Sequence, residues 1–365
     1  MPNVGQIIST NFTSTEVVNG HSGAPVLSPS GTLVWSDDPE TIYYQAAGTT
    51  YLGRTYQDKV TSRFRVFDYH YNRTDLNPDG TRSPGSYNLH IGVALTAPAS
   101  ATGDTYVYRN KFGIGTGTNF PSTAQTTLAN WFKSPNQDYN IAVLSPGEST
   151  YIEQVVAVKA ISVIMYDFVA TNGQGSVLPI FVTTYVWKTA DPAYPTDPTA
   201  VPTIPYSGTI PARATFSYNT LKGSFAPQSS VTPICVALGE NPSSPTLPTL
   251  SGEYAAGVDA LDNWSGAPIY NVGNFGVVYS LDLTIPVPPL GYSYTDTLLN
   301  PRGGNEYYVV VDRSGVSSPL SSSEVLADTE SLVVDNDPGN DQYTLEYSVP
   351  AGQTSPNWLA FQPTT

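Results

Sequence analysis

Between Val60 and Trp187 the chain repeats one pattern: a run of β-branched and aromatic residues, then a break rich in Gly, Pro, Asn or Ser. The runs are Val60–Tyr71, Tyr87–Leu95, Thr105–Phe112, Tyr139–Leu144, Tyr151–Ala170 and Leu178–Trp187. Successive side chains of a strand point to opposite faces, so such runs predict strands, and their spacing predicts an all-β sandwich or barrel. Helix is predicted over Ser122–Phe132, which follows a proline and has Leu128, Trp131 and Phe132 at helical spacing. The apolar stretch from Glu153 to Phe168 is so rich in Val and Ile that it reads as one long or two consecutive buried strands.

With 365 residues the chain is long enough for two β domains, each with its own core. Only 12% of residues are charged, about half the usual share, so the surface is expected to be polar but largely uncharged. The 25 Tyr, 30 Gly and 32 Pro favour strands and turns over helices.

Residues 1–55, rich in Thr, Ser, Gly and Pro, have short β-like pieces at Thr32–Trp35 and Thr41–Gln45 and read as an extended N-terminal arm. Residues 56–189 then form a first β-sandwich domain. Residues 190–211 are proline-rich, and such a stretch is extended and fairly stiff, so it is read as a hinge. Strands resume in 212–365 at Ala214–Leu221, Val231–Leu238, Gly276–Ile285, Glu306–Asp312, Ser331–Asp335 and Gln342–Val349, predicting a second β-rich domain. Residues 1–190 carry 11 Lys+Arg against 13 Asp+Glu, and residues 191–365 carry 4 against 17, so the second domain is expected to be acidic and outward-facing.

No residues announce catalysis. Gly20-His-Ser-Gly-Ala-Pro-Val26 is similar to the segment around a chymotrypsin-like nucleophilic serine, but no His and no acid except Glu16 precedes Ser22, so the chain order refutes that role. Asp68 and His70 would share a strand face, and with no third ligand in range a satisfied strand histidine is the better reading, as it is for His90. Gly113-Ile-Gly-Thr-Gly117 lacks the lysine of a phosphate loop and reads as a turn. Cys235 in an apolar run predicts a buried thiol. Asn11, Asn72 and Asn263 match glycosylation acceptors without a visible export signal. The Tyr307–Tyr308 pair is assigned to sheet packing rather than to a sugar platform.

Two clusters remain as candidate sites. Asp335, Asp337 and Asp341 alternate around a Gly turn, a layout that brings carboxylates about a hard cation such as calcium, although the terminal bidentate Glu of an EF-hand loop is missing and a solvated turn accounts for the same residues. Arg54, Lys59, Arg63 and Arg65 form the densest basic group, and they are the candidate nucleic-acid contact; a solvated sheet face is the plainer reading. No apolar run reaches membrane-spanning length, and no membrane partner is expected.

The succession of an N-terminal arm, a β domain ending in Leu178-Pro-Ile-Phe-Val-Thr-Thr-Tyr-Val-Trp-Lys-Thr189, a Pro-rich hinge and an acidic second β domain resembles the capsid (coat) proteins of small non-enveloped icosahedral viruses. That resemblance implies a jelly-roll β-sandwich shell domain, self-assembly into a virion shell, and a protruding domain for host attachment to a receptor or glycan. It departs from many such proteins because residues 1–53 contain no Lys or Arg, so weak or no direct genome binding is expected. Related readings are a double jelly-roll coat protein and a phage fibre or receptor-binding subunit. A cell-surface adhesin or carbohydrate-binding protein is the alternative from a different class, ahead of a carbohydrate-active enzyme. No resident cofactor is expected apart from the calcium candidate.

Overall fold

The computed structural model describes residues 2–12, 15–46, 52–189, 197–204, 213–239, 247–254, 260–261, 266, 268–271, 274–301, 310–315, 317–323, 326–349 and 357–365. The protein is all-β, built from several sheets, with one α-helix among the described residues. It divides into a middle unit, residues 31–217 with 258–269, and a terminal unit, residues 1–30 with 218–257 and 270–365.

Eight strands form the body of the middle unit: β1 (Leu52–Val60), β2 (Phe64–Arg73), β3 (Leu89–Thr96), β4 (Thr105–Gly117), β5 (Tyr139–Leu144), β6 (Ser149–Val156), β7 (Ile161–Thr171) and β8 (Ile180–Lys188). One sheet runs in the order β6-β3-β8-β1, the other β5-β4-β7-β2, and every pairing among the eight is antiparallel. Strand 1 therefore pairs with 8, 2 with 7, 3 with 6 and 4 with 5, as if one long hairpin had been folded over into two layers. Alternation then sends Tyr56, Phe64, Val66, Val93, Leu95, Ile164, Phe168 and Val182 into one buried cluster. Each such side chain contributes roughly 1.5–3 kcal/mol of burial. The stretch from Glu153 to Phe168 resolves into two strands, β6 and β7, turned at Lys159 with a φ of 64°.

Helix α1 (Phe120–Lys133) joins β4 to β5. The Asn119 side chain accepts from the Ser122 amide at 3.1 Å and so caps the first turn, while Pro121 lies in that turn where its missing donor costs nothing. Its buried face is Thr123, Ala124, Thr127, Leu128, Trp131 and Phe132. That face lies against the glycines of 113–117, which are part of strand β4 rather than a turn. A Cβ at Gly113 would sit 1.9 Å from the Thr127 carbonyl oxygen, and one at Gly115 would sit 2.5 Å from Thr127 Oγ1. Glycine at alternate strand positions leaves one face bare, and the helix backbone packs directly onto it.

The sheet β5-β4-β7-β2 is extended past β2 by Leu33–Ser36, parallel to β2, and then by Arg213–Phe216. Part of the expected arm is thus a sheet strand of the middle unit. The described part of the expected hinge, residues 197–204, lies along β1: Arg54 N donates to Pro202 O at 2.9 Å and Ile204 N donates to Arg54 O at 2.8 Å. The remainder of 190–211 lies outside the described residues.

In the terminal unit the main strands are β9 (Thr220–Phe225), β10 (Ile234–Leu238), β11 (Val278–Thr284), β12 (Tyr294–Asn300), β13 (Glu330–Asp337), β14 (Gln342–Tyr347) and β15 (Asn357–Thr364). One sheet has the order Ile7–Ser9, β13, β12, β15, β10, Glu16–Val17. The other runs Leu320–Ser321, Val310–Arg313, β14, β11, β9, Ser28–Ser30. The first 30 residues are therefore woven into both sheets and do not form a detached arm. Phe12 packs on Trp358 with ring centroids 6.0 Å apart, in a cluster that also buries Cys235, Leu298 and Val333, so the thiol is buried as its apolar run predicts.

The run Ala214–Leu221, read from sequence as one strand, is two. Arg213–Phe216 belongs to the middle unit and β9 to the terminal unit, and the chain passes between them at 217/218. The middle unit therefore takes in residues 31–217 together with 258–269.

Candidate functional site

The three aspartates predicted to converge do so. Asp335 and Asp337 lie on β13 two residues apart, Asp341 follows the turn, and one ligand oxygen from each lies within 4.8 Å of the others. Gly339, at a φ of 112°, turns the chain, and its amide donates to Asp337 Oδ1 at 2.5 Å. The charge that faces them was missed in the sequence: Arg313 Nη2 lies 3.0 Å from Asp335 Oδ2 and 3.2 Å from Asp341 Oδ2. Its guanidinium lies over the Tyr343 ring, 4.4 Å from the centroid. Burial pushes the Asp335 carboxyl up despite Arg313, and burial together with Asp341 raises Asp337. The donor set suits a hard cation, while the guanidinium already supplies a positive charge to two of its three members. Nothing in the sequence placed Arg313 here, because it lies 22 residues upstream of Asp335 and reaches β13 only through the folding of the sheets.

The basic group is dispersed by its partners. Arg54 donates to Gln57 Oε1 and Thr199 O, both at 2.6 Å. Arg63 donates to Asp138 Oδ1 at 2.9 Å from an exposed position. Arg65 is buried and paired with Asp167. Lys59 lies over Phe181 at 5.8 Å. Three of the four candidate nucleic-acid contacts thus spend their donors on this chain's own groups.

A third cluster is fully buried. Asp68 and His70, side by side on one face of β2, meet at 3.0 Å between Oδ1 and Nε2, and His70 Nδ1 lies 2.8 Å from the Pro39 carbonyl. Ser36 Oγ lies 3.5 Å from Nε2 and donates to Thr55 Oγ1 at 3.1 Å. A serine, a histidine and an aspartate are therefore in one network. They do not form a nucleophilic triad, because the serine and the aspartate both address Nε2 and none of the three is exposed. His70 is a satisfied strand histidine, and so is His90, whose Nδ1 lies 2.8 Å from Glu153 Oε1.

Of the remaining motif residues, His21, Ser22 and Gly23 are exposed on a turn, and Gly23 takes a φ of 100°. Asn72 is buried and donates to Val156 O at 2.9 Å, so its acceptor motif is closed to modification. Asn263 and the Tyr307–Tyr308 pair lie outside the described residues.

No protein-family model matches the sequence, and no curated protein matches it.

Proposed function

We propose that the chain is the coat subunit of a small non-enveloped icosahedral virus, with the middle unit as its shell domain and the terminal unit facing outward for host attachment. The observation that carries this reading is the strand order β6-β3-β8-β1 over β5-β4-β7-β2. Nested pairing of 1 with 8, 2 with 7, 3 with 6 and 4 with 5 is the order of an eight-stranded jelly roll, an architecture used by viral capsid domains.

Two further features support it. Among the described residues no strand continues either sheet beyond β5 or beyond β6, and Tyr139, Val143 and Val155 on these strands are exposed. On the other side, β2 is covered by Leu33–Ser36 and β1 by residues 197–204. Open edges are a hazard for a monomer and useful to a subunit that packs against copies of itself. The acidity also follows the units: the terminal unit holds 3 Lys+Arg against 14 Asp+Glu, the middle unit 12 against 16. An acidic surface keeps an exposed domain soluble and limits nonspecific association. On this reading the polypeptide is located in the virion and its principal partner is itself.

Negative-stain electron microscopy and light scattering of the full chain test the proposal. Regular closed shells, or small oligomers that close into shells as salt and pH are varied, are the expected result. A protein that stays monomeric at high concentration under all these conditions overturns it, and glycan-array binding by that monomer would then favour the adhesin reading.

A further inference from the structure

The loop Asp37–Glu40 connects two short strands, Leu33–Ser36 and Thr41–Tyr43, that both pair in parallel with β2. It runs beside the same edge of β2, level with Tyr69 and His70, and Tyr71 N donates to Glu40 O at 2.6 Å. Both ring nitrogens of His70 face acceptors there. The Pro39 carbonyl at Nδ1 only accepts, so Nδ1 carries a proton, and Asp68 Oδ1 at Nε2 accepts a second when ionised. Two acceptors at the ring nitrogens favour the imidazolium form.

The surroundings add more acid than this one cation neutralises. From the loop, Asp38 and Glu40 interact electrostatically with His70, and Asp37 with Asp68, Asp38 and Glu40, while Tyr69 feels the charge of Glu40 and Asp37. Packed from the other elements are uncharged Thr55 of β1 and Thr184 of β8, joined Oγ1 to Oγ1 at 2.7 Å, and Ser162 of β7, opposite His70 in register. Arg213, which is buried, donates to Thr55 O at 3.3 Å and Ile204 O at 3.2 Å. Asp37 Oδ1 is buried and accepts no hydrogen bond. A carboxylate oxygen left dry without a donor favours the protonated acid.

We propose that Asp37, Asp68 and His70 form a pH-sensitive latch, which holds the 37–40 loop against the edge of β2 at low pH and frees it as the pH is raised. The direction is the same for His70 and Asp37. His70 is raised above its ordinary value because Asp68 and the Pro39 carbonyl outweigh its burial, so its contribution is complete below about pH 6.5 and lost as pH rises through the folded value. Burial first, then Glu40, Asp38 and Asp68, push Asp37 well up, so it too takes up a proton on folding, and stability falls as pH climbs past about 4.

Hydrogen exchange of the full chain, compared at about pH 6 and about pH 9 after correction for the intrinsic rate, reads the latch directly. Peptides covering 36–43 and 69–71 are expected to exchange severalfold faster at the higher pH. His70→Gln keeps polar hydrogen-bonding groups without titrating, and Asp37→Asn replaces the protonated acid with a neutral amide; each is expected to flatten the pH dependence. Equal protection of the wild type at both pH values overturns the proposal, as does wild-type pH dependence in every variant that folds. Should His70→Gln fail to fold, Asp37→Asn and the wild type decide.

Discussion

Arg65 grips Asp167 with two bonds, Nε to Oδ1 at 2.6 Å and Nη2 to Oδ2 at 3.0 Å, and its guanidinium lies over the Trp131 ring at 4.3 Å. The pair joins β2 to β7 and the ring belongs to α1, so one side chain ties the helix to the sheet beneath it. Arg65→Met removes both bonds and leaves a partly buried Asp167 carboxylate without its partner. The expected loss is about 2–3 kcal/mol, measured by urea denaturation. Arg65→Lys keeps the charge but not the planar fork, and it should recover less than half of that loss.

Gly113→Ala should be far more costly than a glycine change on an open loop. The new methyl meets the Thr127 carbonyl at 1.9 Å, and the helix backbone cannot give way as a flexible side chain would. A loss of at least about 2 kcal/mol is expected. Gly103→Ala, where nothing lies within 4 Å, serves as the control and should change the urea midpoint little. Equal effects at the two positions would refute the close seating of α1.

Arg313→Met should expose the mutual repulsion of Asp335, Asp337 and Asp341. Removing the guanidinium is expected to cost about 2 kcal/mol near neutral pH. Because Asp335 and Asp337 are raised in the folded state, they gain protons on folding as pH falls, and the deficit should shrink toward about pH 4. A loss of the same size at both pH values counts against this account. Melting with a chelator separates the two possible counter-charges: an unchanged Tm in the wild type is expected if Arg313 fills that role, whereas a drop reversed by calcium and not magnesium assigns it to a bound calcium ion.

Glu253→Ala should destabilise the terminal unit by about 3 kcal/mol or more. The carboxylate is fully buried and accepts from the Gly239 amide at 2.7 Å, the Leu250 amide at 3.1 Å and the Tyr279 hydroxyl at 2.6 Å. Its removal leaves all three donors dry. A near-native Tm in the variant would contradict this.

Much of the middle unit is legible in the chain because its strands are local patterns. Tyr139–Leu144 has the bounds its alternation predicts, and α1 extends the predicted helix at both ends because Asn119 caps it and Pro121 is tolerated in its first turn. Strands β12 and β15 gave no such signal. Asn357–Thr364 mixes Asn, Gln, Pro and Thr into its apolar run, and it is a strand because β12 and β10 pair with it on either side. The glycines 113–117 carried a period of two, a strand signal, but without the helix above them the run was equally a turn.

The acidic site divides the same way. A spacing of two along an extended strand brought Asp335 and Asp337 onto one face, and the Gly339 turn returned Asp341 to them. These are local consequences of backbone geometry, so the sequence determined them. Arg313 among those carboxylates, the Pro39 carbonyl over His70, and the weaving of residues 1–30 into the sheets of the terminal unit all join parts of the chain far apart in sequence. Only tertiary structure decided these, because a register between distant strands is set by which apolar faces can be buried together, and no single strand carries that information.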